Sequence, residues 1–135
     1  MKVVVTGFVD VLKEINRVTK AYNKGVDDAV VATAVNIQRD AILGINKQNR
    51  GDKKTSKGHY PSPEGGYPNT DTGRLVGSIQ VDHVKGSQEA IVYSDLDYAA
   101  YLEFVMNRPW LSTASMDKDK VLKENILTFT KKAIK

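Results

Sequence analysis

The chain has 135 residues, a length that fits one domain and can bury a real apolar core without a disulfide or metal to hold it. It contains no cysteine, which excludes a disulfide scaffold, cysteine zinc ligation and thiol catalysis. The net charge of +4 is mild, well short of a dedicated DNA binder, and no apolar run approaches the roughly 20 residues of a membrane helix.

The N-terminal segment Val3-Val4-Val5 is β-branched and short, and reads as an edge strand or a lead-in arm. The apolar run there is also too short for a signal peptide, so a soluble, intracellular protein is expected. Thr6 is placed to cap a helix. Phe8, Val11, Leu12, Ile15, Val18, Thr19 and Tyr22 then recur at helical spacing as one apolar stripe, with Lys13, Glu14, Arg17 and Lys20 on the other face. Asn23-Lys24-Gly25 is expected to break or kink this helix, because glycine suits the left-handed position after a helix end. Asp27 and Asp28 suit the start of a second helix, whose stripe is Val26, Val30, Ala34, Ile37 and Ala41 and whose stop is Gly44. One long helix kinked near Gly25 is the alternative.

From 45 to 71 the periodicity disappears, and glycine, proline and polar residues fill the stretch. A loop this long in a small domain is commonly functional or mobile, and mobility is expected here. Within it Lys47, Arg50, Lys53, Lys54 and Lys57 cluster between 47 and 57 against a single acid there, Asp52, a local excess equal to that of the whole chain. With His59, Tyr60 and Tyr67 nearby, this cluster is a candidate for contact with DNA or with an acidic protein surface.

Order is expected to return at Thr72. Leu75 to Ile79 read as a turn or short helix. Ile79, Val81 and Val84 mark a strand with Gln80 and Asp82 facing out, Lys85 to Gln88 a hairpin loop, and Ala90 to Tyr93 the return strand. Asp97 is placed to cap a short helix carrying Tyr98, Ala99, Leu102 and Glu103, and Ser112 or Thr113 to cap the segment after Pro109. A final helix spans about 117–133, with Lys118, Val121, Leu122, Ile126, Phe129 and Ala133 on one face. The expected architecture is a single α+β domain over 1–135: a helical part (6–44), a flexible basic loop (45–71), a sheet with short helices (72–116) and a C-terminal helix (117–135), with the helices packed on a small, mostly antiparallel sheet.

No constellation of catalytic residues emerges. His59 and His83 lack a second histidine or cysteine at metal-ligand spacing and read as solvent-exposed. Asp95 and Asp97 flank a turn, a common structural task for aspartate. Gly65-Gly66 precedes Tyr-Pro, not a helix start, and forms no phosphate cradle. A hydrolase would need Asp95, Asp97 and His83 in one pocket. No catalytic residue, metal ligand or cofactor site is therefore assigned.

Three pieces in order carry a more specific signal: Thr72-Gly73-Arg74-Leu75 with Ser78-Ile79, then Tyr98-Ala99-Ala100-Tyr101-Leu102-Glu103-Phe104, then Arg108-Pro109-Trp110-Leu111 with Ala114. Together they resemble the minor tail or head–tail joining proteins of tailed phages, the gene-product-ten-like family of HK-type lambdoid phages, over about residue 8 to the C-terminus. The chain departs from that pattern at Val105, where the family usually has glycine, at Met106, where a small or hydroxyl residue is common, and at Trp110, which stands for a usual phenylalanine. A reshaped turn after Phe104 is expected, since valine does not readily take a positive φ.

The resemblance implies a ring of identical subunits around the DNA channel, head-connector or tail proteins as partners, and a location in the virion after assembly in the bacterial cytoplasm. Thr72, Gly73, Leu75, Ser78 and Ile79 are its structural motif. The residues themselves suggest capping by Thr72, a sharp chain reversal at Gly73 and apolar anchoring by Leu75 and Ile79. Tyr98, Tyr101, Phe104, Arg108 and Trp110 are candidates for a subunit or partner interface, with Trp110 and Tyr101 foremost. Glu103 is a candidate to pair with Arg74 or Arg108. A small basic nucleic-acid-binding module, with non-specific DNA contact through the 47–57 cluster, is the alternative reading.

Overall fold

The computed structural model describes residues 2–4, 7–47, 62–69 and 73–135. The elements in order are α1 (Phe8–Asn46), α2 (Arg74–Ser78), β1 (Gln80–His83), β2 (Ala90–Tyr93), α3 (Asp97–Phe104), α4 (Leu111–Ser115) and α5 (Lys118–Ile134). The fold is α+β, as the sequence predicts: helices packed on a two-stranded antiparallel sheet. No helix among the described residues is long and apolar enough to cross a membrane.

The expected break at Gly25 is absent. α1 is one helix of 39 residues, about 58 Å long at 1.5 Å per residue. Gly25 serves packing instead. α5 runs antiparallel along α1, and a Cβ placed on Gly25 would lie 2.8 Å from the Thr130 Cα. The register of the pair is set along its length. The Lys118 ammonium bonds Asn36 and Asp40, the Asn125 amide donates to the Thr33 hydroxyl (3.1 Å), and the Arg17 guanidinium reaches the Ile134 carbonyl (3.3 Å). The predicted α5 face holds, with Val121, Leu122, Ile126, Phe129 and Ala133 half-buried against α1.

Gly44 does not stop the helix, which runs on to Asn46. The Tyr67 ring lies where a Gly44 Cβ would point, 2.4 Å from that position. Ile45, the expected first residue of the loop, is fully buried at the centre of the core with Ala41, Leu75, Ile79, Ala99, Trp110 and Ala114. Of the expected mobile loop, 48–61 and 70–71 lie outside the described residues, and with them Arg50, Lys53, Lys54, Lys57 and His59. Residues 62–69 pack on the molecule: Ser62 is buried, and the Gly65 amide donates to the Asn107 carbonyl at 2.7 Å.

At the N-terminus Gly7, with φ 87°, occupies the capping position of α1, and Thr6 lies outside the described residues. Val3 and Val4 form no strand and are exposed. The hairpin pairs Gln80 with Tyr93, Val81 with Val92, Asp82 with Ile91 and His83 with Ala90. Val84 falls outside β1 and is exposed, because the chain turns there through Gly86 (φ 86°) and Gln88 (φ 56°).

Candidate functional site

The segment that carries the Thr-Gly-Arg-Leu pattern leads into the core. Thr72 lies outside the described residues, and Gly73 takes a left-handed φ of 78° at the start of α2. This turn drops Leu75 and Ile79 into the apolar cluster. The Ser78 hydroxyl donates to the Leu75 carbonyl (2.7 Å) and shares a hydrogen bond with the Ser94 hydroxyl (2.6 Å), joining α2 to the segment that follows β2. The Gln38 amide donates to the Ile79 carbonyl at 2.8 Å and ties the same point to α1.

α3 and α4 form the adjoining unit. Trp110 is 3% exposed, and its indole N–H donates to the Ala99 carbonyl at 3.0 Å. Its expected place at a subunit interface is thus corrected: the ring fills the space between α3, α4 and α1. Glu103 spends its carboxylate on α4, accepting the amides of Trp110 (2.8 Å), Leu111 (3.0 Å) and Ser112 (2.9 Å). These are orphan N–H groups of a helix start, so Glu103 is a cap delivered from another helix rather than the partner of an arginine. Burial by itself would raise its carboxyl, but the Ser112 hydroxyl and the backbone amides outweigh this and hold it below the ordinary range. No capping bond comes from the Asp97 side chain, whose residue sits in the first turn of α3, with Leu96 in the capping position. Ser112 lies inside α4 and receives a cap instead of supplying one.

With Trp110 inside, the outward face of this unit belongs to Tyr98, Tyr101, Phe104, Val105 and Met106, all exposed, and Phe104 is 83% exposed. Val105 keeps a negative φ of −104°, and the positive φ falls two residues later on Asn107 (φ 51°), a residue type that tolerates it. Arg108 is half-buried and braces the turn, donating from Nε to the Ser62 hydroxyl (3.1 Å) and from Nη1 to the Met106 carbonyl (2.6 Å). The apolar residues therefore stand on a held support.

A second apolar surface lies on the first turns of α1. Val9, Val11, Leu12, Ile15 and Tyr22 are exposed. The sequence places Val11, Leu12, Ile15 and Tyr22 in a stripe, and the structure leaves Val11, Leu12 and Ile15 uncovered because α5, at 17 residues, is less than half as long as α1 and ends at Ile134 beside Arg17.

The polar anchor at Asp27 has no local signal. Asp27 lies in mid-helix and is 5% exposed. Its Oδ2 accepts the Gly86 amide (3.0 Å) and the His83 Nε2 (3.1 Å), and its Oδ1 accepts the Gln88 amide (2.8 Å). It thus clamps the hairpin loop to α1. His83 is half-buried and not the solvent-exposed histidine the sequence suggests, since its Nδ1 also meets the Glu89 carbonyl at 2.8 Å. Only the protonated ring can donate to both acceptors at once. The Glu89 carbonyl first, then Asp27 and Asp28, raise the His83 pKa, while the Gly86 amide first, then Gln88 and His83, lower that of Asp27.

These directions set a pH window. The His83 contribution is complete below its ordinary 6.5 and is lost as pH rises through its raised value. The Asp27 contribution is complete above its ordinary 3.8 and is lost as pH falls through its lowered value. The melting temperature is therefore expected to fall above the histidine range, and the fall should shrink in His83→Gln. Equal alkaline losses in both proteins would exclude His83 as their cause.

His83 is thus engaged with Asp27 and Glu89, while Asp95 and Asp97 are exposed, and the three are not joined in one hydrogen-bonded set. Among the described residues no group of three or more His, Cys, Asp or Glu is arranged to hold a metal ion. An open depression beside the end of α1 is lined by Asp40, Leu43, Gly44, Asn46, Lys47 and Tyr67. Lys47 is exposed at the C-terminal cap of α1, whereas Tyr67 is half-buried and packs against the core. No family model, curated protein or solved structure matches the chain.

Proposed function

We propose that this chain is a phage or prophage virion assembly protein that joins head to tail or completes the tail, acting by binding and not by catalysis. Its partners are further copies of itself, built into a ring around the DNA channel, and the head-connector or tail proteins on either side. The ordered motifs from Thr72 to Ala114 support the phage reading. The observation that carries the binding role is the Tyr98, Tyr101, Phe104, Val105 and Met106 surface. A monomer has no folding reason to expose so many large apolar groups on a turn braced from behind by Arg108 and Glu103.

Solution mass by light scattering over a concentration series, with negative-stain images of the large species, tests this reading. Closed rings of one copy number are expected. A chain that stays monomeric throughout and binds duplex DNA with an affinity that falls steeply with salt would replace it with the nucleic-acid-binding reading, carried by the basic cluster at 47–57.

A further inference from the structure

The hairpin is fastened to the molecule at two places of different character. At its root Ile79 is 4% exposed in the apolar cluster, Val92 packs against that cluster, and the Gln38 amide holds the Ile79 carbonyl. Residues 82–91 have no such hold. None of them is buried or packs against the cluster, and Val84 and Ile91 are exposed. A two-stranded hairpin by itself is marginal in water. The outer half of this one therefore depends on what holds its tip.

The tip is held by polar bonds to one stretch of α1. Asp27 accepts the Gly86 and Gln88 amides and the His83 ring. The Gln88 side-chain amide adds longer, exposed contacts to Asn23, 3.3 Å to its carbonyl and 3.4 Å to its Oδ1. Other bonds are internal to the loop. The Ser87 amide donates to the Val84 carbonyl (3.0 Å) and the Ser87 hydroxyl to the Glu89 carbonyl (3.1 Å). These do not depend on Asp27, so the loop can leave α1 as a unit.

The fastening needs a proton on His83. In a neutral ring one nitrogen carries no hydrogen. If that nitrogen is Nε2, its lone pair faces the Asp27 carboxylate at 3.1 Å; if it is Nδ1, it faces the Glu89 carbonyl at 2.8 Å. Either tautomer sets a lone pair against an oxygen. Asp27 is 5% exposed, so it keeps a buried charge and loses its cationic partner. The surrounding charges do not replace that partner. On α1, Lys24 is paired with Asp28 at 2.7 Å, and in the hairpin Asp82, Lys85 and Glu89 are exposed to water.

We propose that residues 82–91 form a hinged flap on α1, latched at its tip by Asp27 and protonated His83, which opens while the core stays folded. The hinge is the Val81–Val92 pair, where the apolar hold of the root begins. Segments with few buried apolar contacts open locally at a lower free energy than the whole domain. Because its neighbours hold the His83 proton above the ordinary 6.5, the latch is closed below that value and loosens as pH rises past it. The flap lies apart from the Tyr98 to Met106 surface and does not rest on the assembly reading.

Hydrogen exchange of the full chain, followed by mass spectrometry from about pH 6 to about pH 9 and corrected for intrinsic rates, tests the flap. Peptides covering 84–90 are expected to exchange at least about a hundredfold faster than the middle of α5. Their protection should also fall about tenfold or more through the His83 titration, the effect of losing one charge-assisted hydrogen bond. In His83→Gln it should start lower and show no such step. Equal protection in 84–90 and α5 would mean that the hairpin opens only with the whole domain, and would overturn the flap. A wild type without the step, or a step of the same size in His83→Gln, would overturn the latch. All but the last outcome are read on the wild type alone.

Discussion

Trp110→Ala is expected to lower stability by about 3–5 kcal/mol, the usual effect of removing a buried aromatic ring from a core. The ring is 3% exposed and touches the only cluster to which α1, α2, α3 and α4 all contribute among the described residues. Its loss leaves a cavity bounded by Ile45, Ala99 and Ala114, small or rigidly placed side chains that cannot collapse into it. It also removes the indole donor from the Ala99 carbonyl. For a chain of this size the change corresponds to a melting temperature lower by roughly 10–20 °C. Trp110→Phe keeps most of the apolar area and loses the N–H, so about 1–2 kcal/mol is expected. Chemical denaturation of the three proteins measures both differences. In the wild type the single tryptophan is itself the probe, with emission shifting to the red as the core opens. Wild-type stability in Trp110→Ala would contradict the core placement and return the residue to the surface, where the sequence pattern first suggests it.

Gly25→Ala tests a sign. In an exposed helix interior alanine is better than glycine by about 1 kcal/mol. At position 25 the new methyl would stand 2.8 Å from the Thr130 Cα and 3.0 Å from the Phe129 carbonyl oxygen. Both are backbone atoms, which cannot rotate away as a side chain does, so α5 must shift. Overpacking of this kind costs about 1–3 kcal/mol, which outweighs the propensity gain, and a bulkier Gly25→Val should cost more. Gly77 is the internal control. It lies in α2 with a negative φ, and a methyl there meets nothing within 4 Å, so Gly77→Ala is expected to be neutral or stabilising by up to about 1 kcal/mol. If Gly25→Ala raises the melting temperature as Gly77→Ala does, the close approach of α1 and α5 is not present in solution.

The same glycine illustrates how far a sequence can be read. Asn23-Lys24-Gly25 has the composition of a helix end, and Asp27-Asp28 that of a helix start, because both residue types are common at termini. Neither residue is there for a terminus. Gly25 admits the backbone of a helix about a hundred residues later, and Asp27 serves amides 59 and 61 residues away. Glu103 is a similar case: a carboxylate near two arginines suggests an ion pair, whereas it caps α4 across a turn. The surface candidates divided on burial. Phe104 and Tyr101 face outward, and Trp110 does not.

What the sequence by itself determined is local. Residue spacing of three and four marks α5 and both halves of α1. Spacing of two, with a Gly-containing turn, marks the hairpin. The loss of either period marks the stretch after α1. These features depend on neighbours a few positions apart, and each is legible without knowing what packs on it. Only the tertiary structure decided which face is covered and which is free. The stripes of the two halves of α1 look alike in sequence, yet α5 buries one and passes short of most of the other. The aromatic residues from Tyr98 to Trp110 look alike too, yet one indole fills the core while the tyrosines and Phe104 remain outside. Burial is a property of partners far along the chain, and their lengths and registers, not local periodicity, determine it.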